Sequence, residues 1–252
     1  MPPSPRSPAR SGADVAGDVD EPGSILSDTV YTRLRTALMR AELKPHQRLK
    51  VRDLARQMGT SETPVREALM QLAHDGAIEI KPRFYIRVRR LSRAEYDEIR
   101  DIRLELEPMA AERALGKLSD DEIARLKDIH ESLVAAEEAG DWTRALQANF
   151  DFHFAIYERS GMATLTDILH GLWVRMGPTL CELYPAARPT YAGEHQHLSI
   201  IEAIARNDAP GLRMAIRMDL IEGGRKLRNR LAELEAAAIP AAASQADPSP
   251  AD

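Results

Sequence analysis

The sequence predicts a mainly α protein, with one small β-hairpin in its first third and an all-α antiparallel bundle of about six helices after it. Three observations lead there. Apolar residues recur at helical spacing through most of residues 25–235. The stretch 77–89 instead alternates apolar and polar residues around a turn. The charge also changes sign: residues 25–93 carry 15 basic and 7 acidic side chains, net +8, whereas residues 94–252 carry 17 and 28, net −11. The 252 residues are 44% hydrophobic and 29% charged, which suits a folded chain of one large or two ordinary domains.

Each element follows from local chemistry. Residues 1–24 are rich in Pro, Ser, Ala, Gly and Asp and predict a disordered tail, as does the Ala/Pro/Ser-rich stretch 236–252. Val30, Leu34, Ala37 and Leu38 make one face of a first helix over Ile25–Ala41, and Pro45 breaks the chain after it. Val51–Met58 predicts a short helix stopped by Gly59. Ser61 is the expected cap of the next helix, with Pro64 in its first turn and Gly76 at its end. Ala77–Val88 then predicts the hairpin, turning at Lys81-Pro82-Arg83-Phe84. From about residue 93 only helices are expected, over 93–115, 119–138, 141–160, 163–181, 190–206 and 209–235, with Pro108 a potential kink in the first.

Several classes are excluded at this level. The longest apolar runs are far short of the ~20 residues that span a bilayer. Met1-Pro2-Pro3-Ser4-Pro5 lacks the apolar core of a secretory signal. The single cysteine, Cys181, allows no intrachain disulfide framework, so a reducing cytoplasm is the expected compartment and no membrane partner is expected.

Short helix, tight glycine turn, capped helix and hairpin occur in the order of a winged helix-turn-helix. Val65, Ala68, Leu69 and Leu72 fall at i, i+3, i+4 and i+7 and form the packed side of its second helix. Glu62, Thr63, Arg66 and Met70 lie off that stripe, where a recognition helix meets the major groove. Ser61 and Thr63 can donate to phosphate at the helix start, and Arg66 can fork onto a guanine or clamp a phosphate. Lys81, Arg83, Arg87, Arg89 and Arg90 give the hairpin a cationic edge. A solvated basic face on a structural bundle would explain the charge alone, but not its coincidence with the motif.

Leu34-Arg35, Leu43-Lys44-Pro45, Leu49, Leu54-Ala55 and above all Thr63-Pro64-Val65-Arg66-Glu67-Ala68-Leu69 resemble the DNA-binding half of GntR-family transcription regulators, over roughly residues 25–91. The resemblance implies DNA contacts from Arg52, Ser61, Thr63, Arg66 and the wing tip, where Lys81 and Arg83 stand. It also exposes two departures. Glu62 occupies a position where the family usually has arginine, and Pro82-Arg83-Phe84 replaces a glycine common in the wing. A carboxylate at 62 repels phosphate but accepts from a cytosine amino group, which implies an altered operator.

In the acidic half, Asn149 and His153 stand four apart on the inward face of one predicted helix. His197 shares a stripe with Ile200, Ile201 and Ile204, and Asp219 lies on the inner side of the last helix. His195 is rotated by about 200° from His197 on the 3.6-residue repeat and is expected to face away. An amide oxygen, two imidazoles and a carboxylate on three inward faces suit a divalent ion such as zinc, nickel or manganese. Local hydrogen bonds would satisfy the same groups equally well.

Arg103-Leu104-Glu105-Leu106-Glu107-Pro108, the segment from Asn149 through His153 to Ser160-Gly161-Met162, and His197 followed by Ile201-Glu202-Ala203-Ile204 and Asn207-Asp208 resemble the FCD effector domain of the FadR-type branch of that family, over residues 94–232. That resemblance implies a divalent metal, zinc first, on Asn149, His153 and His197, with Asp219 standing where a third histidine is usual. It also implies a small organic acid effector beside the metal. Arg103 is the first candidate to bind its carboxylate, with Arg175 and Tyr184 behind it. Alternatively, Arg103 forms an exposed i, i+4 ion pair with Glu107. Trp142 and Trp173 are expected in the core or the pocket wall.

The reading is a homodimeric, ligand-responsive transcription regulator binding a double-stranded DNA operator through two half-sites, with repression relieved by a metabolite the family's commonest arrangement. Two alternatives are a metal-dependent enzyme in the helical half and a DNA-binding dimer that senses nothing. Against the enzyme, no nucleophile motif stands beside the polar cluster.

Overall fold

The computed structural model describes residues 22–190 and 193–244. Of the tails expected over 1–24 and 236–252, residues 1–21 and 245–252 lie outside the described residues, whereas 22–24 belong to the first helix.

The first unit assembles as its pattern predicts. Helix α1 (Pro22–Met39) buries Val30, Leu34 and Leu38. Helix α2 (Val51–Met58) ends at Gly59, whose φ of 67° belongs to the left-handed region that a side chain would strain. Helix α3 (Glu62–His74) buries Val65, Ala68, Leu69 and Leu72 completely. Ser61 stands at its N-cap, but the hydroxyl makes no capping hydrogen bond, so the predicted cap holds in position and not in bonding.

Strands β1 (Ile78–Lys81) and β2 (Tyr85–Val88) pair antiparallel with Ile78 opposite Val88 and Ile80 opposite Ile86. The connection before α2, expected only as a turn, adds itself to this hairpin. Leu49 N–H donates to the Ile86 carbonyl at 2.8 Å, Val88 N–H to Gln47, and Arg48 bridges Arg87. The wing is thereby tied to the body of the domain.

The second unit is helical throughout the described residues. Helix α4 (Arg93–Ala114) starts with a reciprocal cap between Ser92 and Glu95, and Pro108 does not split it. Helix α5 (Asp120–Ala139) starts with the same device at Ser119 and Glu122. Helix α6 (Trp142–Tyr157) is capped by the Asp141 carboxylate and runs into a 3-10 turn at Glu158–Ser160. Helix α7 (Ala163–Met176) gives way to a 3-10 segment, Gly177–Leu183, where one continuous helix was expected to 181; Pro178 removes an N–H that the α ladder would need.

Helix α8 (Gln196–Ala205) starts later than predicted, because the His195 ring accepts the N–H of His197 and caps it. Helix α9 (Ala209–Ser244) continues past the predicted end at 235 into a stretch read from composition as tail. Alanine carries the highest helix propensity, and Ala236–Ala238 extend a helix already nucleated and packed. Helices α4 and α8 pack along α9, α5 packs on α6, and α1 lies against α7. Among the described residues no helix is long and apolar enough to cross a membrane.

Candidate functional site

Two faces carry polar chemistry. On the first, Arg52, Ser61, Glu62, Thr63, Arg66, Lys81 and Arg83 are all exposed. The buried side of α3 fixes their direction, since Pro64, Val65, Ala68 and Leu69 hold the helix down and leave Glu62, Thr63 and Arg66 outward. Arg66 donates to Glu62 at 2.8 Å, with their side chains 61% and 45% exposed. Such a pair is worth about 0.3–0.5 kcal/mol, so a phosphate or a base can take Arg66 from it. At the wing tip Arg83 adopts φ 66°, and Lys81 Nζ lies 4.8 Å over the ring of Phe84, itself 71% exposed. Phe84 was not among the expected contacts, although an aromatic at a hairpin tip has nothing of its own domain to cover it.

The second face is internal. A cavity of about 60 Å³ lies between α4, α6, α7 and α9, with Arg103, Asn149, Trp173, Tyr184, His195 and Asp219 in its wall. That is room for a few waters or the carboxylate end of a small acid. Arg103 and Glu107, one turn apart on α4, are 4% and 0% exposed, so their pair is not the solvated one that spacing allowed. Arg103 Nε and Nη2 donate to the two Glu107 oxygens at 2.6 and 3.3 Å, and Nη1 reaches Met176 Sδ at 2.8 Å. The guanidinium also lies 4.6 Å over the Trp173 ring. Burial alone would lower the Arg103 pKa, but the Glu107 carboxylate more than offsets it and holds the group above its ordinary value. A guanidinium has five N–H donors, and these contacts use three.

Glu107 then sets the state of the next groups. Trp173 Nε1 donates to it at 2.7 Å and the Tyr157 hydroxyl at 2.9 Å. Burial, then the Glu107 charge, push the Tyr157 pKa far up, so that proton stays on oxygen. Tyr157 has no second proton, so toward His153 Nδ1, 3.1 Å away, it can only accept. His153 therefore carries a proton on Nδ1, and its Nε2 faces Asp219 Oδ2 at 3.2 Å. A lone pair and a carboxylate at that distance need a cation between them, either a proton or a metal ion.

His153, His197 and Asp219 bring ligand atoms within 4.8 Å of one another, and Asn149, one turn before His153 on α6, lines the adjoining cavity. His197 is fully buried with neither ring nitrogen hydrogen-bonded, and burial pushes its pKa well down, leaving a neutral ring. This donor set fits a borderline divalent ion.

Two expectations need correction. His195 does not turn away, because it lies before the first residue of α8 and the helical rotation does not apply to it. Its ring centroid is 4.3 Å from that of His197 and 5.0 Å from that of His130 on α5. His130, which spacing did not single out, is buried in the same group. Arg175 does not reach the cavity. It lies two residues past the inward Trp173 on α7, so the helix turns it to a separate groove shared with Tyr31, Arg35 and Asp75 of the first unit. Tyr184 lines the cavity wall, stacked on Trp142 at 5.0 Å and donating to Glu137.

A winged helix with an exposed cationic edge, joined to a helical domain around a polar cavity, is the arrangement of a DNA-binding transcription regulator. Residues 26–88 match the family described as bacterial regulatory proteins, gntR family, and residues 98–221 match the FCD domain. Over 187 residues the chain is 39% identical to the HTH-type transcriptional regulator McbR of Escherichia coli (strain K12), covering 73% of this chain and 84% of McbR. The solved structure of E. coli McbR/YncC shares the fold at a TM-score of 0.74 and 35% identity, covering 81% of this chain and 98% of that one.

A putative GntR transcriptional regulator from Rhodococcus sp. RHA1 shares the fold at a TM-score of 0.64 and 19% identity, covering 80% and 96%. The probable D-xylose utilization operon transcriptional repressor of Paenarthrobacter nicotinovorans is 27% identical over 156 residues, 62% of this chain and 68% of its own length. The chain belongs to the GntR family of bacterial transcription regulators and carries an FCD domain.

Proposed function

We propose that this regulator is a cytoplasmic homodimer, a repressor whose hold on its operator is released by a small organic acid. On this reading residues 25–91 form the DNA-binding domain and 94–235 the effector and dimerisation domain. A divalent ion, zinc before nickel or manganese, is held by Asn149, His153, His197 and Asp219. The observation that carries the reading is His153 Nε2 facing Asp219 Oδ2 at 3.2 Å, with Tyr157 orienting the ring from behind as an outer partner orients a metal-ligating histidine. The ion would supply a positive centre for the effector's carboxylate, and the two unused Arg103 N–H groups and the Tyr184 wall would hold its other end. DNA contact falls to Arg52, Ser61, Glu62, Thr63, Arg66, Lys81 and Arg83.

The two halves are physically linked. Helix α6 presents Asn149 and His153 inward, while its Asp151 accepts from Arg40, just past α1, at 2.5 Å. Thr179 Oγ1 accepts from the buried Leu91 N–H at 3.1 Å. A ligand that binds one placement of α6 better than another biases α1 and the recognition helix with it, and only that difference in affinity drives the switch.

The test is fluorescence anisotropy on DNA from the protein's own promoter region, with zinc and a panel of small di- and tricarboxylates. One of these acids should weaken DNA binding at least tenfold in the native protein. His153→Ala should bind the same DNA and lose that response. Release of DNA by the acid at equal concentration from both proteins would overturn the assignment.

A further inference from the structure

Beyond the ion placed on His153 and Asp219, we propose that His130, His195 and His197 form a second position for a nitrogen-preferring divalent cation such as zinc. The three rings come from α5, the cap of α8 and its first turn, and their ligand atoms lie within 4.8 Å of one another. Their centroids are 5.0, 5.6 and 4.3 Å apart. Two zinc bonds of about 2.0–2.1 Å at the tetrahedral angle span about 3.4 Å, so small side-chain rotations close the set.

The burial of unmatched nitrogens points to a ligand there. His130 is 6% exposed with Nδ1 unpartnered, and His197 is 0% exposed with both nitrogens unpartnered. A neutral imidazole has one proton and one lone pair, so His197 buries a donor without an acceptor and an acceptor without a donor. Phe152 stacks on this ring at 3.7 Å and 6° and keeps it from turning toward another partner. His195 is oriented by the N–H of His197, which its Nδ1 accepts at 3.1 Å. Ligation through either nitrogen of that ring gives up this bond, so an ion here also acts on the first turn of α8.

Three neutral nitrogens favour zinc or nickel over manganese. Glu137, seven residues after His130 and on the same face of α5, lines the adjoining cavity with His195 and Asp219, but its carboxylate is already paired with Arg188 at 3.0 Å. His197 belongs to both groups and has one lone pair, so the two positions compete for it. The outer position is then read most clearly when the inner one is disabled.

The experiment is zinc titration of His153→Ala, with and without His130→Phe, after chelator treatment. The isosteric Asp219→Asn serves as a second disabled background, and circular dichroism checks each variant. Either background should still bind one zinc per chain, adding His130→Phe should weaken that binding at least tenfold, and X-ray absorption of the zinc-loaded background should report three imidazoles. Equal zinc affinity with and without His130→Phe, or two imidazoles, would overturn the outer position. Absence of zinc binding in both backgrounds would do the same. The inner site is judged separately, by the carboxylate response that His153→Ala loses.

Discussion

Glu107 is completely buried, yet its two oxygens accept from Arg103, Tyr157 and Trp173 at 2.6–3.3 Å. A buried ion pair adds little net stability over an apolar replacement, but removing one partner alone leaves an uncompensated charge. Glu107→Leu should therefore destabilise the effector domain by about 3–5 kcal/mol in urea unfolding, and the double variant Arg103→Leu/Glu107→Leu should recover most of that loss. A double variant as unstable as the single would show that the pair does not set the penalty. This site was only half legible in the sequence. The i, i+4 spacing of Arg103 and Glu107 fits a solvated pair and a buried one alike, and what decides is Trp173 and Tyr157, 66 and 50 residues away from Glu107. His195 escaped for a related reason: helical rotation assigns a face only to residues inside the helix, and His195 is its cap.

At the scale of elements, apolar spacing and punctuating glycines made most helices readable, and two helix starts also carry a cap pattern outside that reading. Serine followed three residues later by glutamate marks the starts of α4 and α5, and both form the reciprocal bonds that the pattern implies. Where tertiary packing decides, the pattern fails, as in the 3-10 segment after α7. That segment begins at Gly177, where a Cβ would lie 2.9 Å from the Met39 carbonyl oxygen and closer still to that of Leu38. The backbone conformation there is ordinary, so the glycine serves the close approach of α1 to the effector domain and not a special φ. Gly177→Ala should push the two apart, lowering stability by about 1–3 kcal/mol and exposing the 40–50 connection to limited proteolysis. A protease pattern and melting temperature equal to those of the native protein would show that this contact does not dock the domains.

For the whole molecule, the separation of charge is the functional fact. The net +8 of residues 25–93 faces a polyanion, while the net −11 of residues 94–252 repels it, so DNA is steered to the winged face. Each phosphate neutralised by a side chain releases condensed counterions, so DNA affinity should fall linearly in log–log form with salt, with a slope of about −0.9 per phosphate contact. Arg66 divides the outcomes. Held by an exposed Glu62 at 2.8 Å in the free protein, it transfers to DNA at small loss, and Arg66→Ala should reduce the steepness of that slope by about 1 per bound site if it clamps phosphate. Should it read a guanine instead, the slope should stay unchanged, with preference relaxed at one operator position and a loss of about 1–3 kcal/mol. Anisotropy titrations from 50 to 200 mM salt on specific and scrambled duplexes separate the two. An Arg66→Ala protein that binds both duplexes as the native one does, at every salt concentration, would remove Arg66 from the interface.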